Sequence, residues 1–250
     1  MTSFNQVPDK PESFGYKVSW FAVKASDAAA VIGALELKDA VPANWTSGLA
    51  AANPETFSSD GDRWLFVSPP LNGWVLAVGS WLPYPTWEEH HDIGAKFNTM
   101  FALLVTQFDE VQFFGSHRVS EYCAWARAVN GEPVRIFAYG GEVLMNLGDQ
   151  TPEEAKLGLP NLSGLSLSDA EDRIFSAAEE MDAEQEKLVE SGLSQDEAYE
   201  RAHNGRHAFP TEDDVVQLAA LWSIDPTHLS EEGHPFGLGL AVRLPDDMRQ

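Results

Sequence analysis

Two short apolar runs, separated by a turn, constrain the fold of this chain more than any other feature of its sequence. The runs are Arg-Trp-Leu-Phe-Val at 63–67 and Trp-Val-Leu-Ala-Val at 74–78, and they flank the turn-forming segment Pro69-Pro70-Leu71-Asn72-Gly73. Neither run alternates apolar with polar residues, as a strand with one face in water would. They therefore predict two consecutive strands of a sheet that is covered on both faces.

A stripe of large apolar residues predicts a helix that packs on this sheet. Its members recur at positions i, i+3, i+4, i+7, i+8 and i+11, which is the spacing of one helical face. The stripe consists of Phe97, Met100, Phe101, Leu104, Val105 and Phe108. Thr86 and Glu89 precede it in the pattern of a capping box and predict that the helix begins there.

The residues after this helix predict a β-meander, in which consecutive antiparallel strands are joined by tight turns. Asn130-Gly131 supplies two residues that tolerate positive φ angles, as a type I′ hairpin turn requires. Residues 27–37 predict a short helix, because Asp27 is a suitable N-cap and apolar residues follow at helical spacing. The further predicted strands are 16–23, 111–115, 121–129, 134–139, 142–147 and 237–244.

The last hundred residues are more acidic, and more helical in pattern, than the rest of the chain. Residues 1–150 carry 9 basic and 17 acidic side chains, whereas residues 151–250 carry 7 and 22, a net charge of −15. No linker rich in Gly, Ser or Pro separates the two parts. Capping patterns predict helix starts at Thr151, Ser168, Ser194 and Thr211.

These patterns predict one α+β unit with a mainly antiparallel, meander-like sheet packed by helices. Its β-rich core spans residues 1–150, and residues 151–250 form an acidic helical part that ends in a strand and packs on the same domain. The chain has 39 acidic against 16 basic residues, a net charge of −23. Such a charge repels phosphate, so we expect neither a nucleic acid nor a membrane as partner.

Composition also bears on the cellular compartment. No apolar run approaches the length that a membrane-spanning helix needs, about 18 residues. Residues 1–10 are polar and contain Pro8, so we expect no signal peptide there. The single cysteine, Cys123, rules out an internal disulfide and fits a reducing environment. We therefore expect a cytoplasmic protein.

Two histidine pairs are the main candidates for chemistry. His203 and His207 stand four residues apart, which on a helix would present both imidazoles to one metal ion. Gly205 lies between them, however, and no third ligand is evident. His90 and His91 are adjacent, so on a helix they would point about 100° apart. Since nucleophile elbows and phosphate-binding loops are also missing, we expect no catalytic residue, no bound metal and no cofactor.

Two groups of residues are candidates for binding a protein partner. One is an aromatic loop around Pro83-Tyr84-Pro85, followed by two acids, because exposed aromatic side chains are typical interface anchors. The other is the acidic face of a helix over about 169–190, which would attract a basic partner, although a solvated helix face would have the same pattern. The candidates are Trp81, Tyr84, Trp87, Glu88, Glu89, Glu179, Glu180, Asp182 and Glu184.

Three stretches resemble an uncharacterised bacterial family similar to the immunity proteins of polymorphic or secreted toxins. They are Trp64–Gly79, Val111–Gly115 with Ala124–Ala128, and Asp213–Val216 with Trp222–Pro226. The likeness covers roughly 16–145 and 209–244 and leaves 161–205 outside. It implies a cytoplasmic immunity protein that occludes a cognate, more basic toxin, and it implies no catalytic residues. The alternative is a metal-dependent hydrolase that uses His203 and His207, or His90 and His91.

Overall fold

The computed structural model describes residues 3–54, 63–87 and 92–250. Within these ranges the fold is α+β, with one nine-stranded antiparallel sheet and seven α-helices. The strands are β1 (Ser19–Val23), β2 (Val41–Ala43), β3 (Trp64–Val67), β4 (Val75–Gly79), β5 (Glu110–His117), β6 (Tyr122–Val129), β7 (Glu132–Gly140), β8 (Val143–Leu147) and β9 (Gly239–Arg243). The helices are α1 (Ala28–Ala34), α2 (Trp45–Ala52), α3 (Ile93–Val105), α4 (Pro152–Lys156), α5 (Leu167–Glu190), α6 (Gln195–His203) and α7 (Glu212–Trp222).

The two apolar runs form β3 and β4, which pair antiparallel inside the sheet. The strand order is β2-β9-β3-β4-β1-β5-β6-β7-β8. Every residue of β3 and β4 is buried, which confirms the prediction of strands covered on both faces. The meander prediction is confirmed as well, because β5 to β8 pair in chain order. Asn130 and Gly131 between β6 and β7 have φ angles of 53° and 86°.

Helices cover both faces of the sheet, and the alternation of side chains along each strand separates two cores. On one face α1 and α3 pack over residues such as Phe21 and Phe113. On the other face α2, α5 and α7 pack over Trp20, Phe66 and Phe114. The stripe of α3 is buried as predicted from Phe97 to Val105, whereas Phe108 is half-buried because it lies beyond the end of the helix.

The predicted starts of two helices are wrong. The chain is not helical from Leu82 to Trp87, and α3 begins at Ile93 after Asp92, which has a φ of 52°. A Cβ atom at Gly94 would collide with the carbonyl oxygen of Thr86, so the loop crosses directly over the first turn of α3. Helix α5 begins two residues earlier than predicted because Ser166, rather than Ser168, caps it.

The C-terminal hundred residues share the sheet and the core with the rest of the chain. Strand β9 lies between β2 and β3, and α7 packs on β5 and β6. The helix caps predicted at Thr151, Ser194 and Thr211 are confirmed, and each forms a capping box. None of the helices in the described ranges is both long and apolar enough to cross a bilayer.

Candidate partner-binding site

Helices α5 and α6 form an acidic arm, which we define as residues 179–203. Helix α5 has 24 residues, a length of about 36 Å, whereas the five residues of β8 beneath it span about 17 Å. Its first half therefore packs on β8, and its second half packs on α6. Ala198 and Ala202 of α6 are buried in this contact region.

The arm presents nine carboxylates to solvent. Two of them form ion pairs, Glu180 with Arg173 at 3.7 Å and Glu184 with Arg206 at 3.0 Å. The other seven form no ion pair with any residue that the structure describes. The nine exposed acids are Glu179, Glu180, Asp182, Glu184, Glu186, Glu190, Asp196, Glu197 and Glu200. Lys187 and Arg201 are the basic residues of this segment, so its net charge is strongly negative.

The predicted aromatic loop is exposed mainly at one residue. Trp81 is half-buried, with the guanidinium carbon of Arg63 3.6 Å from the centre of its ring. Tyr84 is also half-buried and packs on Tyr122, with 4.7 Å between ring centres. Trp87, in contrast, is 55% exposed. Of the other candidates, Glu88, Glu89, His90 and His91 lie outside the described residues.

The loop and the arm lie on opposite sides of the edge strand β8. The backbone N–H of Trp87 donates to the carbonyl oxygen of Leu144 at 3.1 Å. Trp81, Tyr84 and Leu144 pack with the core under α1 and α3, whereas Val143 packs with α5 on the other face. The structure therefore does not bring the described part of the loop, up to Trp87, into one contiguous patch with the arm.

A cleft of about 950 Å³ adjoins the arm, and none of the candidate residues predicted from the sequence lines it. We call it the aromatic cleft and define it by Tyr16, Tyr139, Phe175 and Phe209 with the charged residues Arg118, Glu121, Glu212 and Asp213. It lies where the β5–β6 and β7–β8 connections meet the first turn of α7. Phe175 lies on α5 one turn before Glu179, so the cleft and the acidic arm are continuous.

Aromatic rings form the walls and floor of the cleft. Phe175 and Phe209 are 46% and 37% exposed, although both are large apolar side chains. Their ring centres are 5.6 Å apart in an edge-to-face arrangement. The ring of Tyr139, which is buried, lies 6.1 Å from that of Phe209. These contacts fix the orientation of the walls and leave ring faces available to a bound group.

Two carboxylates of the cleft, those of Glu212 and Asp213, accept hydrogen bonds from within the protein. Oε1 of Glu212 accepts from the hydroxyl of Ser116 at 3.0 Å and from the backbone N–H of Lys17 at 3.3 Å. Oδ1 of Asp213 accepts from the hydroxyl of Tyr16 at 3.0 Å, and this hydrogen bond raises the pKa of Tyr16. Within the described ranges, no lysine or arginine forms an ion pair with these carboxylates or with Glu121.

The thiol of Cys123 also borders the cleft, but it is poorly suited to nucleophilic chemistry. Burial, with smaller contributions from the nearby carboxylates of Asp214 and Glu212, raises its pKa to about 12. The thiol is therefore protonated near neutral pH, whereas a cysteine nucleophile reacts as the thiolate. Cys123 is therefore poorly suited to act as a nucleophile in this cleft.

The structure separates His203 from His207. Helix α6 ends at His203, and the chain turns at Asn204 and Gly205, whose φ angles are 40° and 73°. The Nδ1 of His203 donates to the carbonyl oxygen of Tyr199 at 3.0 Å, and Nε2 of His207 lies 2.8 Å from Oδ2 of Asp214. The two imidazoles thus have different partners. In the ranges the structure describes, no three His, Cys, Asp or Glu side chains are grouped to hold a metal ion.

The pair of His207 and Asp214 predicts a pH-dependent contribution to stability. The hydrogen bond to Asp214 raises the pKa of His207, so the folded state binds the proton more tightly than the unfolded state. The contribution is complete below the unfolded pKa of about 6.5 and is lost as pH rises through the higher folded value. Relative to wild type, we expect His207→Gln to lower the free energy of unfolding by about 1 kcal/mol at pH 6 and by less at pH 9.

Denaturant titrations of both proteins between pH 5.5 and pH 9 measure this difference. His203→Gln removes an imidazole that bonds a backbone carbonyl and serves as the matched control. The prediction would be contradicted if the difference in free energy of unfolding between wild type and His207→Gln stayed constant from pH 5.5 to pH 9.

Comparisons of the chain with protein families, curated proteins and solved structures found no match. The chain's own residues offer an acidic arm and an aromatic cleft that meet at Phe175. Both features favour recognition of positive charge, because carboxylates attract cations directly and aromatic faces attract them through the ring quadrupole.

Proposed function

We propose that this chain is a cytoplasmic immunity-type protein that binds a more basic bacterial toxin and neutralises it by covering its active site. The observation that carries the proposal is the acidic arm, in which seven of nine exposed carboxylates lack an ion-pair partner in the described part of the chain. Their mutual repulsion opposes the compact state. A basic partner relieves this repulsion on binding.

Two further observations support a binding role. The resemblance of residues 16–145 and 209–244 to an uncharacterised bacterial family similar to immunity proteins favours the same class of function. Trp87, which is 55% exposed beside the edge strand β8, provides a second contact of the kind that anchors interfaces. In this proposal the carboxylates steer the toxin towards the complex and aromatic side chains hold it there.

Co-expression with the protein encoded by the neighbouring gene tests the function itself. We expect that protein to be toxic when it is expressed alone and harmless when this chain is present. If it is harmless alone, or if it remains toxic in the presence of this chain, the immunity proposal is wrong.

Charge reversal in the arm should slow association with that toxin. We expect the triple variant Glu179→Lys, Glu180→Lys and Asp182→Lys to bind about tenfold more slowly at low salt, with a flatter salt dependence and little change in dissociation. Long-range attraction acts on the encounter, whereas the contacts made after docking determine dissociation. Stopped-flow or surface-based kinetics at several salt concentrations measure both rates.

A matched variant separates the arm from the net charge of the molecule. Glu12→Lys, Asp109→Lys and Glu132→Lys change the charge by the same amount at exposed residues outside the arm. We expect this variant to associate nearly as fast as wild type. Equal slowing in both triple variants would show that the arm has no particular role in steering.

A further inference from the structure

We propose that the aromatic cleft binds an arginine side chain of the basic partner. This inference rests on the proposed function, since it names where the toxin would insert a residue. Its physical basis is independent of the acidic arm, because it comes from the shape of the cleft and the groups that line it.

The apolar walls suit the flat face of a guanidinium group. Phe175 and Phe209 stand edge to face with 5.6 Å between ring centres, so one ring presents its face to the space beside the other. Arginine stacks on aromatic faces and is more weakly hydrated than lysine, which favours its transfer into such a site. Phe175 and Phe209 are 46% and 37% exposed. A side chain that fills the cleft covers these rings.

The carboxylates at the rim supply the complementary charge. Glu212 and Asp213 use Oε1 and Oδ1 to accept hydrogen bonds within the protein, whereas Oε2 and Oδ2 form none with described residues. Both groups are therefore oriented in advance while keeping an oxygen for a ligand. Glu121 adds a third carboxylate at the same rim. An arginine can form paired N–H···O bonds with such oxygens.

The charge balance of the lining favours a cation despite one basic residue. Arg118 also borders the cleft, against Glu121, Glu212 and Asp213, so the lining carries two more negative than positive charges. Arg118 is exposed and can turn its guanidinium into solvent. The volume of about 950 Å³ exceeds that of a single side chain, which leaves room for the residues on either side of the inserted arginine.

The test uses a capped peptide, Gly-Ser-Arg-Ser-Gly, titrated into the full-length protein and followed by NMR. The control peptide replaces arginine with citrulline, which has nearly the same shape but carries no charge. We expect the arginine peptide to shift the signals of Tyr139, Phe175 and Phe209 and to bind at least about tenfold more tightly than the citrulline peptide.

Surface variants identify the site of binding. Phe209→Ala and Asp213→Asn should each lower the affinity for the arginine peptide about fivefold or more. Both residues are exposed, and asparagine keeps an oxygen that can accept from Tyr16, so the fold should be retained. The triple variant Glu12→Lys, Asp109→Lys and Glu132→Lys is the control, because it reverses three exposed charges outside both the cleft and the arm, and it should leave most of the affinity intact.

Two outcomes would overturn the inference: equal binding of the arginine and citrulline peptides, or shifts that map to the arm and persist in Phe209→Ala. The proposed function fails separately, through the co-expression experiment. Protection from the toxin together with no selective arginine binding would therefore remove the cleft inference and keep the function. Selective arginine binding without protection would remove the proposed function and keep the cleft as a site that binds arginine.

Discussion

Arg135→Met is expected to lower the free energy of unfolding by about 3–5 kcal/mol, because it leaves a buried carboxylate without its cation. Arg135 and Glu154 are each 1% exposed, and Nε of Arg135 donates to Oε1 of Glu154 at 2.9 Å. The same oxygen accepts from the indole N–H of Trp125 at 2.9 Å. Urea titration of the variant and of wild type measures the loss.

The double variant Arg135→Met with Glu154→Gln is the control for this explanation. Glutamine keeps an oxygen for Trp125 but removes the buried negative charge, so the double variant should be more stable than Arg135→Met alone. If the double variant is no more stable than the single one, the uncompensated charge is not the cause of the loss.

The effect should also reach the acidic arm. Arg135 donates to Oδ1 of Asn146 at 2.7 Å, and Nδ2 of Asn146 donates to the carbonyl oxygens of Leu162 and Leu165 at 2.9 and 3.1 Å. Leu165 directly precedes Ser166, which caps α5. The ion pair thus helps to fix the start of α5, the helix that carries the first part of the arm.

Phe101→Ala is expected to lower the free energy of unfolding by a similar amount, about 3–5 kcal/mol, because it leaves a cavity between α3 and the sheet. The ring of Phe101 is buried and stacks on Phe97 at 5.4 Å. Phe97 in turn contacts Phe113 of β5 at 5.0 Å. Thermal or denaturant unfolding of the variant measures the change.

Phe108→Ala provides the comparison for this prediction. Phe108 belongs to the same sequence stripe but is half-buried beyond the end of α3, so its truncation should lower stability by clearly less. A loss below about 1 kcal/mol in Phe101→Ala would mean that the helix does not depend on this packing.

Local patterns predicted eight of the nine strands and six of the seven helices of the described structure, missing β2 and α2, because those patterns reflect burial directly. The uninterrupted apolar run of β3, for example, follows from its two covered faces. The start of α3 could not be predicted in this way, since Thr86 and Glu89 form a valid local signal that the loop crossing over Gly94 overrides. The place of β9 beside β3 depends on pairing between residues about 175 positions apart in the sequence, such as Phe66 with Ala241.

The aromatic cleft could not be predicted either, because its residues are far apart in the sequence. It assembles Tyr16, Glu121, Phe175, Phe209 and Asp213, which no single window of the sequence contains. One local signal was present: Phe175 is a large apolar residue in the acidic helix α5 but is not among that helix's buried residues, which are Ala170, Ile174, Ala177 and Met181. A phenylalanine on the polar face of an acidic helix indicates a contact outside the core.

The interior position of β9 has a consequence for how the chain acquires its structure during synthesis. Until residues 239–243 have been made, no strand lies between β2 and β3, and the backbone edge of β3 facing that gap is unpaired. Unpaired strand edges promote aggregation of nascent chains. The many acidic residues of 151–203 emerge before β9 does, and their like charges oppose contact between incomplete molecules while the sheet still lacks β9.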